Sequence, residues 1–191
     1  MPERRGGDPA PLTTSTVRGE DWYARDLSGQ TFTEVEFVDL DLTEASGTGT
    51  VFERCIFRHA KFNASVFTDA AFLNCSFTRS SFFDARFERC KLVGSIFDGC
   101  TLDIVTVDGG NWSFVGLGRA DLHSATFTGV GLREADLTGA WLQLADLSGC
   151  DLRGSQLSGI DPATVNLERA IITLEQAVVI VEAMGLDLRV E

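Results

Sequence analysis

The sequence predicts an all-β solenoid closed by one C-terminal α-helix, and three observations carry that prediction. Large apolar residues recur at every fifth position from Trp22 to Ile172, small residues recur two positions before them, and an amphipathic segment follows. A period of five fits neither an α-helix, which repeats about every 3.6 residues, nor a plain strand, which repeats every two. It fits a chain that turns a corner after each short extended piece.

The five-residue register is continuous and defines the core. Of its 31 positions, 29 hold a large apolar side chain, and twelve of the fourteen phenylalanines lie on it. Four five-residue sides close a square coil of 20 residues, and stacked coils satisfy one another's backbone groups. Ten of the 19 glycines fall two residues after a central position, where a corner with positive φ favours glycine. Gly47 and Pro162 interrupt the apolar series, so we expect the coil to be thinned or bent there.

The cysteines and histidines follow the same register. All five cysteines occupy the small inward position, which predicts buried, reduced thiols: Cys55, Cys75, Cys90, Cys100 and Cys150. Cys55 and Cys75 stack one coil apart, at about 4.8 Å, so a disulfide between them stays open as the alternative. His59 and His123 fall on outward positions and are interpreted as surface residues. Because no nucleotide-binding, hydrolase or metal-binding motif is present, the sequence predicts no catalytic residue, no metal, no cofactor and no enzyme activity.

The net charge of −12, from 28 acidic and 16 basic residues, is unevenly distributed. Such a balance disfavours binding to nucleic acid or to anionic lipid, both of which need basic surface. We define the acidic face as residues 20–24 and every block 20 further on, to 160–164. Its net charge is −7, from Lys61 and eight acids: Glu20, Asp21, Asp41, Glu44, Asp84, Asp103, Asp121 and Asp161. Because stacked like charges repel, we expect these acids to recognise a partner rather than to stabilise the fold, with a merely solvated face as the alternative.

The repeat ends near Ile172, and a helical pattern replaces it. Thr173 and Gln176 form a capping box, and Gly185 sits where a helix C-cap belongs. The segment has two apolar stripes, one formed by Leu174, Ala177, Val178 and Val181 and the other by Val179, Ile180, Ala183 and Met184. One stripe is expected to seal the open end of the solenoid, and the other would then stay exposed and need a partner. We predict a C2 homodimer through this end, with a monomeric cap as the alternative; its contact residues would be Leu174, Ala177, Val178, Val179, Ile180, Val181 and Met184.

The chain therefore divides into three regions. Residues 1–19 precede the repeat and are expected to form a flexible tail, residues 20–172 form the β-helix, and residues 173–191 form the helix and dimerisation segment. No apolar run approaches the roughly 18 residues of a membrane span, and the N-terminus lacks the apolar core of a signal peptide. These features predict a cytoplasmic protein that does not contact a membrane.

The dimensions of such a dimer approach those of duplex DNA. Seven to eight coils at about 4.8 Å each give a rod of about 37 Å. Two rods joined tail to tail reach about 75 Å, and duplex DNA of that length has roughly 22 base pairs. The dimer would carry −24, which is over half the linear charge density of DNA. An acidic rod of this size predicts a decoy for a groove that normally holds DNA, without direct nucleic-acid binding.

The repeat resembles the pentapeptide-repeat family over residues 20–172, and it is cleanest in ADLTG (135–139) and ADLSG (145–149). The resemblance implies a right-handed quadrilateral β-helix. Within the family the chain is most similar to mycobacterial fluoroquinolone-resistance proteins, in its unbroken frame, its Asp161-Pro162 step and its closing segment ITLEQAVVIVEAMGLDL (172–188).

That resemblance implies a function. Such proteins are DNA-mimicking dimers that bind DNA gyrase, inhibit or modulate it, and protect it from fluoroquinolones, and only the acidic face is carried over as a contact surface. Two alternatives stay open. One is a gyrase-independent scaffold or protein-binding solenoid, and the other is an immunity factor against a gyrase poison.

Overall fold

The structure, a computed structural model, describes residues 10–189 and consists of short parallel strands followed by one helix. The strands are β1 Ser15–Arg18, β2 Thr31–Thr33, β3 Val35–Val38, β4 Ser46–Thr48, β5 Val51–Glu53, β6 Ile56–Arg58, β7 Val66–Thr68, β8 Ala71–Leu73, β9 Ser76–Thr78, β10 Arg86–Glu88, β11 Ile96–Asp98, β12 Thr106–Asp108 and β13 Thr126–Thr128, and the helix is α1 Leu174–Ala183. No described helix is long and apolar enough to cross a membrane. The predicted all-β solenoid with a C-terminal helix is confirmed.

Every strand pairs in parallel with the chain segment 20 residues away. Three sheets result, in the orders β1-β3-β6-β9-β11, β4-β7-β10-β12-β13 and β2-β5-β8. Single bridges continue these sheets, for example from Ile96 to Gly116 and on to Asp136. A fourth side, the acidic face, is held by bridges alone: Asp21, Asp41, Lys61, Ser81, Thr101, Asp121 and Trp141. Four sides per 20-residue coil follow directly from the five-residue period.

The core consists of side chains at the central positions, stacked coil upon coil. The ring of Phe57 stacks on Phe37 at 4.9 Å and on Phe77 at 4.9 Å, and Phe77 stacks on Phe97 at 4.6 Å between centroids. Rings on adjacent sides meet edge to face, as Phe52 does with Phe57 at 5.3 Å. Both arrangements are favoured by the aromatic quadrupole. Phenylalanine at successive central positions therefore fills the interior of these coils.

The corners carry the conformation that the glycine positions predicted. Gly29 and Gly149 have φ of +68° and +67°, but nineteen non-glycine residues also adopt positive φ, among them Asp69 and Arg89. This left-handed conformation is disfavoured by roughly 1 kcal/mol or more for a residue with a Cβ atom. Bonds of the inter-coil ladder offset it, such as that from Arg89 N–H to the Asp108 carbonyl at 2.8 Å. Closure of the coil therefore imposes the left-handed conformation at the corner, whichever residue occupies it.

The two interruptions of the apolar series have different consequences. Gly47 stays in register with Phe67, and a Cβ atom on it would lie 2.2 Å from the Thr50 hydroxyl, which fills the space and donates to the Leu27 carbonyl at 3.0 Å. The coil is thus thinned at Gly47 without leaving the ladder. Pro162, which lacks an N–H, lies in a turn just beyond Trp141, where the bridges of the acidic face stop.

The N-terminal boundary differs from the sequence prediction. Strand β1 pairs with β3, and Val17 lies in register with Phe37 and packs partly buried against the core. The prediction of a flexible tail over 1–19 is therefore wrong for residues 15–18, whereas residues 1–9 lie outside the described range. The reason is that the five-residue register continues backwards from Trp22 to Val17.

Helix α1 begins with the predicted capping box and seals the last coil through a polar side chain. Thr173 N–H donates to Gln176 Oε1 at 2.8 Å, and the Thr173 hydroxyl accepts from Gln176 N–H. The Gln176 carboxamide also donates to the carbonyls of Leu152 and Ser155, at 2.7 and 2.8 Å. The Leu152 carbonyl also accepts from Ser155 N–H at 3.0 Å, so Gln176 adds a second bond there and ties the helix to the last coil at two carbonyls. Gly185, with φ +80°, follows the helix as predicted.

The structure divides each apolar stripe of α1 between the core side and the exposed side. Ile180 packs against the core, and Ala177 and Val181 are half-buried. Leu174, Val178, Val179 and Met184 are exposed. The prediction that one whole stripe seals the end and the other stays exposed is therefore wrong, because the Gln176 contacts fix the helix rotation and turn Leu174 and Val178 outward.

Candidate interaction surface

The structure lines up the outward residues of the acidic face in one column along the solenoid. Asp21 is bridged to Asp41, Asp41 to Lys61, and Asp121 to Trp141. Glu20, Asp21, Glu44 and Asp161 are exposed, and Asp41, Asp84, Asp103 and Asp121 are half-buried. The predicted acids are thus brought to one side, but they fall into two groups separated by Lys61.

Several of these carboxylates bond to their own backbone. The first side-chain oxygen of Asp21 accepts the N–H two residues on, that of Tyr23, at 2.9 Å. The same bond recurs at Asp41, Asp121 and Asp161, at 3.0, 3.1 and 3.0 Å. An Asp side chain bonded in this way stabilises a local turn. The expectation that the acids do not serve stability is therefore wrong for these four.

Other sides of the coil use the same bond, with and without charge. Asp26, Asp136 and Asp146 accept the N–H two residues on at 2.9, 2.9 and 2.8 Å, and Asn111 does so at 3.0 Å. The turn therefore requires a side-chain carbonyl oxygen but not a negative charge. Asparagine can replace these aspartates while leaving the bond in place.

Part of the face's charge is neutralised within the protein. Lys61 Nζ lies 3.3 Å from Asp41 Oδ2, and Arg86 lies 3.9 Å from Asp84. His123 Nδ1 also lies 3.3 Å from Asp103 Oδ1, but a histidine contributes charge only when it is protonated. Hydrogen bonds from Thr43, with the Lys61 ammonium, hold the pKa of Asp41 below its ordinary value. In the described part of the chain, Asp21, Asp121 and Asp161 have no basic partner within 4 Å. The exposed Glu20 and Glu44 likewise have no basic partner there, so five carboxylates of the face have no basic partner.

Aromatic side chains share the acidic face. Tyr23, Phe83 and Trp141 are 55, 47 and 56% exposed, and they are the exposed Phe, Tyr and Trp residues of the described chain. Ile104 and Leu144 lie exposed on the same side. None of the five was among the residues predicted from the sequence, although all five occupy outward positions of the five-residue register. Aromatic and aliphatic side chains therefore accompany the carboxylates on this side of the solenoid.

Comparison with a family model agrees with this geometry. The model for pentapeptide repeats (8 copies) matches residues 48–82, 117–143, 132–161 and 145–173. These segments coincide with the coils whose residues pair at a spacing of 20. The chain has the pentapeptide-repeat β-helix fold.

Solved structures share this fold. A trypsin-treated single-residue variant of QnrB1, described as a plasmid-mediated fluoroquinolone resistance protein, superposes with a TM-score of 0.67 at 16% identity. The alignment covers 93% of this chain and 100% of that one. Full-length QnrB1 gives a TM-score of 0.55 at 18% identity, over 91 and 99% of the two chains. At such identities the likeness concerns the fold alone. A search of curated protein sequences found no significant match.

The five thiols of the solenoid are buried, and none of them forms a disulfide. In particular, no disulfide joins Cys55 and Cys75. Burial raises the pKa of Cys90 to about 11, of Cys100 to about 12 and of Cys150 to about 11. The predicted reduced and buried state agrees with the structure. In the described range, no three His, Cys, Asp or Glu side chains gather to hold a metal ion.

We expect the native protein to resist thiol labelling. Burial keeps the reagent away from all five thiols, and the raised pKa of Cys90, Cys100 and Cys150 also keeps those three protonated. A coloured aromatic disulfide should therefore react with none of the five cysteines within minutes. Addition of guanidinium chloride should release five equivalents per chain. Rapid labelling of even one equivalent before denaturation would contradict the packing of the small inward column.

Proposed function

We propose that this protein is a DNA mimic that binds DNA gyrase, modulates or inhibits it, and protects it from fluoroquinolones. The observation that carries the proposal is the set of carboxylates without basic partners on one side of the solenoid, at Asp21, Asp121 and Asp161. Bridges connect Asp21 to Asp121 through five coils of about 4.8 Å each, so these two carboxylates lie about 24 Å apart along the solenoid. A groove built to neutralise phosphates would meet carboxylates along one side of the solenoid.

Two likenesses support this choice of partner. QnrB1, which has the same fold, is a fluoroquinolone resistance protein. The chain also resembles the mycobacterial fluoroquinolone-resistance protein MfpA in its uninterrupted frame, its Asp161-Pro162 step and its closing segment. Gyrase is the enzyme on which fluoroquinolones act, so a protein of this class would protect the cell at the drug target itself.

The mimic would work as a homodimer joined at the C-terminal end. Leu174, Val178, Val179 and Met184 are exposed on or beside α1, and Leu186 and Leu188 continue the apolar surface. A C2 contact would cover it and place the two acidic faces on one extended particle. Ala177, Ile180 and Val181 would support this contact from beneath, since they are already half-buried against the last coil.

A gyrase-independent scaffold is the second candidate, and the bonds made by the acids favour it. Because Asp21, Asp121 and Asp161 each stabilise a turn, their presence has a reason that involves no partner. The two candidates differ in what the negative charge does. They can be separated by removing the charge and leaving the bond.

The decisive variant is the triple substitution Asp21→Asn, Asp121→Asn and Asp161→Asn. It removes three charges from the acidic face and keeps each side-chain oxygen. The matched control removes three charges from other sides, at Asp26, Asp136 and Asp146, through the same substitution in the same turn. Both variants should retain the wild-type thermal midpoint within a few degrees.

The assay is supercoiling by purified gyrase, with and without a fluoroquinolone. Exposed charge pairs contribute about 0.5–1 kcal/mol each, so three should raise the half-effective protein concentration by about tenfold or more. The control triple should act like wild type. If wild-type protein at micromolar concentration leaves both supercoiling and drug sensitivity unchanged, the gyrase proposal fails. If the two triples lose potency equally, the acidic face is not the contact surface.

A further inference from the structure

A cleft opens on the acidic face where Pro162 interrupts the ladder. Trp141, Gln143, Gly159, Asp161 and Thr164 line it, and its volume is about 250 Å³. The cleft follows from the sequence at Pro162, which has no N–H to donate to the ladder. A turn at 161–164 therefore replaces the extended segment that would otherwise cover the preceding coil. The solenoid thus has a concave site on the side that concentrates its negative charge.

The lining combines an aromatic surface with a carboxylate. Trp141 is 56% exposed and is held in place by His123, whose ring centroid lies 5.6 Å away. His123 is positioned in turn by its 3.3 Å contact with Asp103. The Asp161 carboxylate is oriented by the Ala163 N–H on its first oxygen. Its second oxygen accepts no hydrogen bond from the described residues and remains available to a ligand.

This combination suits one chemical group. A planar guanidinium stacks on an indole face and donates two parallel hydrogen bonds to a carboxylate. An ammonium stacks on an indole less well, and it cannot donate two parallel hydrogen bonds in one plane. The Gln143 carboxamide and the Asp161 carboxylate both supply acceptors at the lining, and arginine carries five N–H donors and no acceptor.

The protein already contains such a stack at the opposite end of the same face. The Arg25 guanidinium carbon lies over the Trp22 ring, 4.4 Å from its centroid, and Glu20 accepts from the Trp22 indole N–H at 2.6 Å. At the first coil an arginine therefore stacks on a tryptophan of the same chain, and the neighbouring carboxylate bonds to the indole N–H. The distal cleft presents the tryptophan and the carboxylate without the arginine.

We propose that the Trp141–Asp161 cleft is a binding site for an arginine side chain projecting from a partner protein. The guanidinium stacks on Trp141 and pairs with Asp161, and the negative face around it supplies the attraction over longer range. The partner surface is therefore basic and contains at least one exposed arginine. The site goes beyond the proposed function, because it is defined by its own lining and applies to any such partner.

The test uses the whole protein and an acetylated, amidated tri-arginine peptide, with the matching tri-lysine peptide for comparison. Tryptophan emission reports the site, because Trp22 and Trp112 are buried and Trp141 is exposed. We expect a saturable change in emission with tri-arginine and at least about threefold weaker binding of tri-lysine. Equal affinities and equal emission changes for the two peptides would overturn the proposal.

Two substitutions, measured by titration calorimetry, locate the contact. Asp161→Asn keeps the turn and removes the charge, and we expect it to weaken tri-arginine binding by about tenfold. Trp141→Leu should weaken it by about threefold to fivefold. The control is Asp21→Asn, which has the same turn and charge change at the far end of the face, and it should change affinity by less than about twofold. Equal losses in the two asparagine variants would mean that net charge alone attracts the peptide, which would overturn the cleft as the site. No gyrase is present, so the outcome is independent of the gyrase assay.

Discussion

Replacing Phe82 with alanine is expected to destabilise the protein by about 3–5 kcal/mol, whereas Phe83→Ala is expected to change its stability by less than about 1 kcal/mol. The two residues are adjacent in sequence and identical in chemistry. Phe82 is fully buried at a central position, and Phe83 is 47% exposed at the next, outward position. The difference in stability between the two variants therefore depends on position in the five-residue register and not on residue type.

The contacts of Phe82 explain the large value. Its ring stacks on Phe62 at 4.7 Å with the planes 8° apart, and meets Phe77 and Phe97 edge to face, each at 5.3 Å. Alanine would remove all of these contacts and leave a cavity. The surrounding rungs cannot collapse into it, because each is tied to its neighbours by the ladder. Every coil also supports the coils above and below, so the loss reaches beyond one rung.

Denaturant unfolding followed by far-ultraviolet circular dichroism measures both effects. Phe82→Leu is a milder companion, since leucine fills central positions elsewhere, at Leu102 and Leu122. It should retain a folded solenoid and lose about 1–1.5 kcal/mol. Similar midpoints for Phe82→Ala and Phe83→Ala would show that the stacked rings are not the main source of stability.

The fold was accessible from the sequence because one short period fixes every inward position at once. The spacing of 20 residues between Phe57 and Phe77 is enough to place one ring above the other, and the structure puts them in register. The side-chain contacts that compensate for local interruptions of the repeat could not be predicted in the same way. The Thr50 hydroxyl that fills the space beside Gly47 comes from the next corner, and the Gln176 contacts link residues 21 and 24 positions apart. Such contacts depend on side-chain rotamers and helix rotation, which no periodicity encodes.

The candidate surface was predictable in outline and not in composition. Counting charges by coil placed Asp21 and Asp121 on one side, and the bridges confirm that column. Charge counting could not reveal that these aspartates also bond to their own backbone, because it treats an acid as a charge without geometry. Trp141 was not predicted either, because the five-residue period identifies the apolar residues at central positions and not those at outward positions.

Substitution of Val179 by aspartate is expected to convert a homodimer into a monomer. Val179 is 38% exposed on α1, beside exposed Val178 and near Met184, so a C2 contact would bury it near the symmetry axis. A carboxylate there would be desolvated without a partner and would face its own copy, which costs several kcal/mol and raises the dissociation constant by more than about a hundredfold. Sedimentation velocity should show half the wild-type mass.

Val66→Asp provides the matched control for this prediction. Val66 has nearly the same exposure, 39%, and adds the same charge when substituted, but it lies on β7 in the body of the solenoid. Its column already holds Asp26 and Asp146 further along the rod, so aspartate fits the rung. The control should keep the wild-type mass. A dimer that survives Val179→Asp, or one that Val66→Asp also dissolves, would place the contact elsewhere on the rod. Such a result would also shorten the acidic particle, because only an end-to-end contact adds the lengths of the two faces.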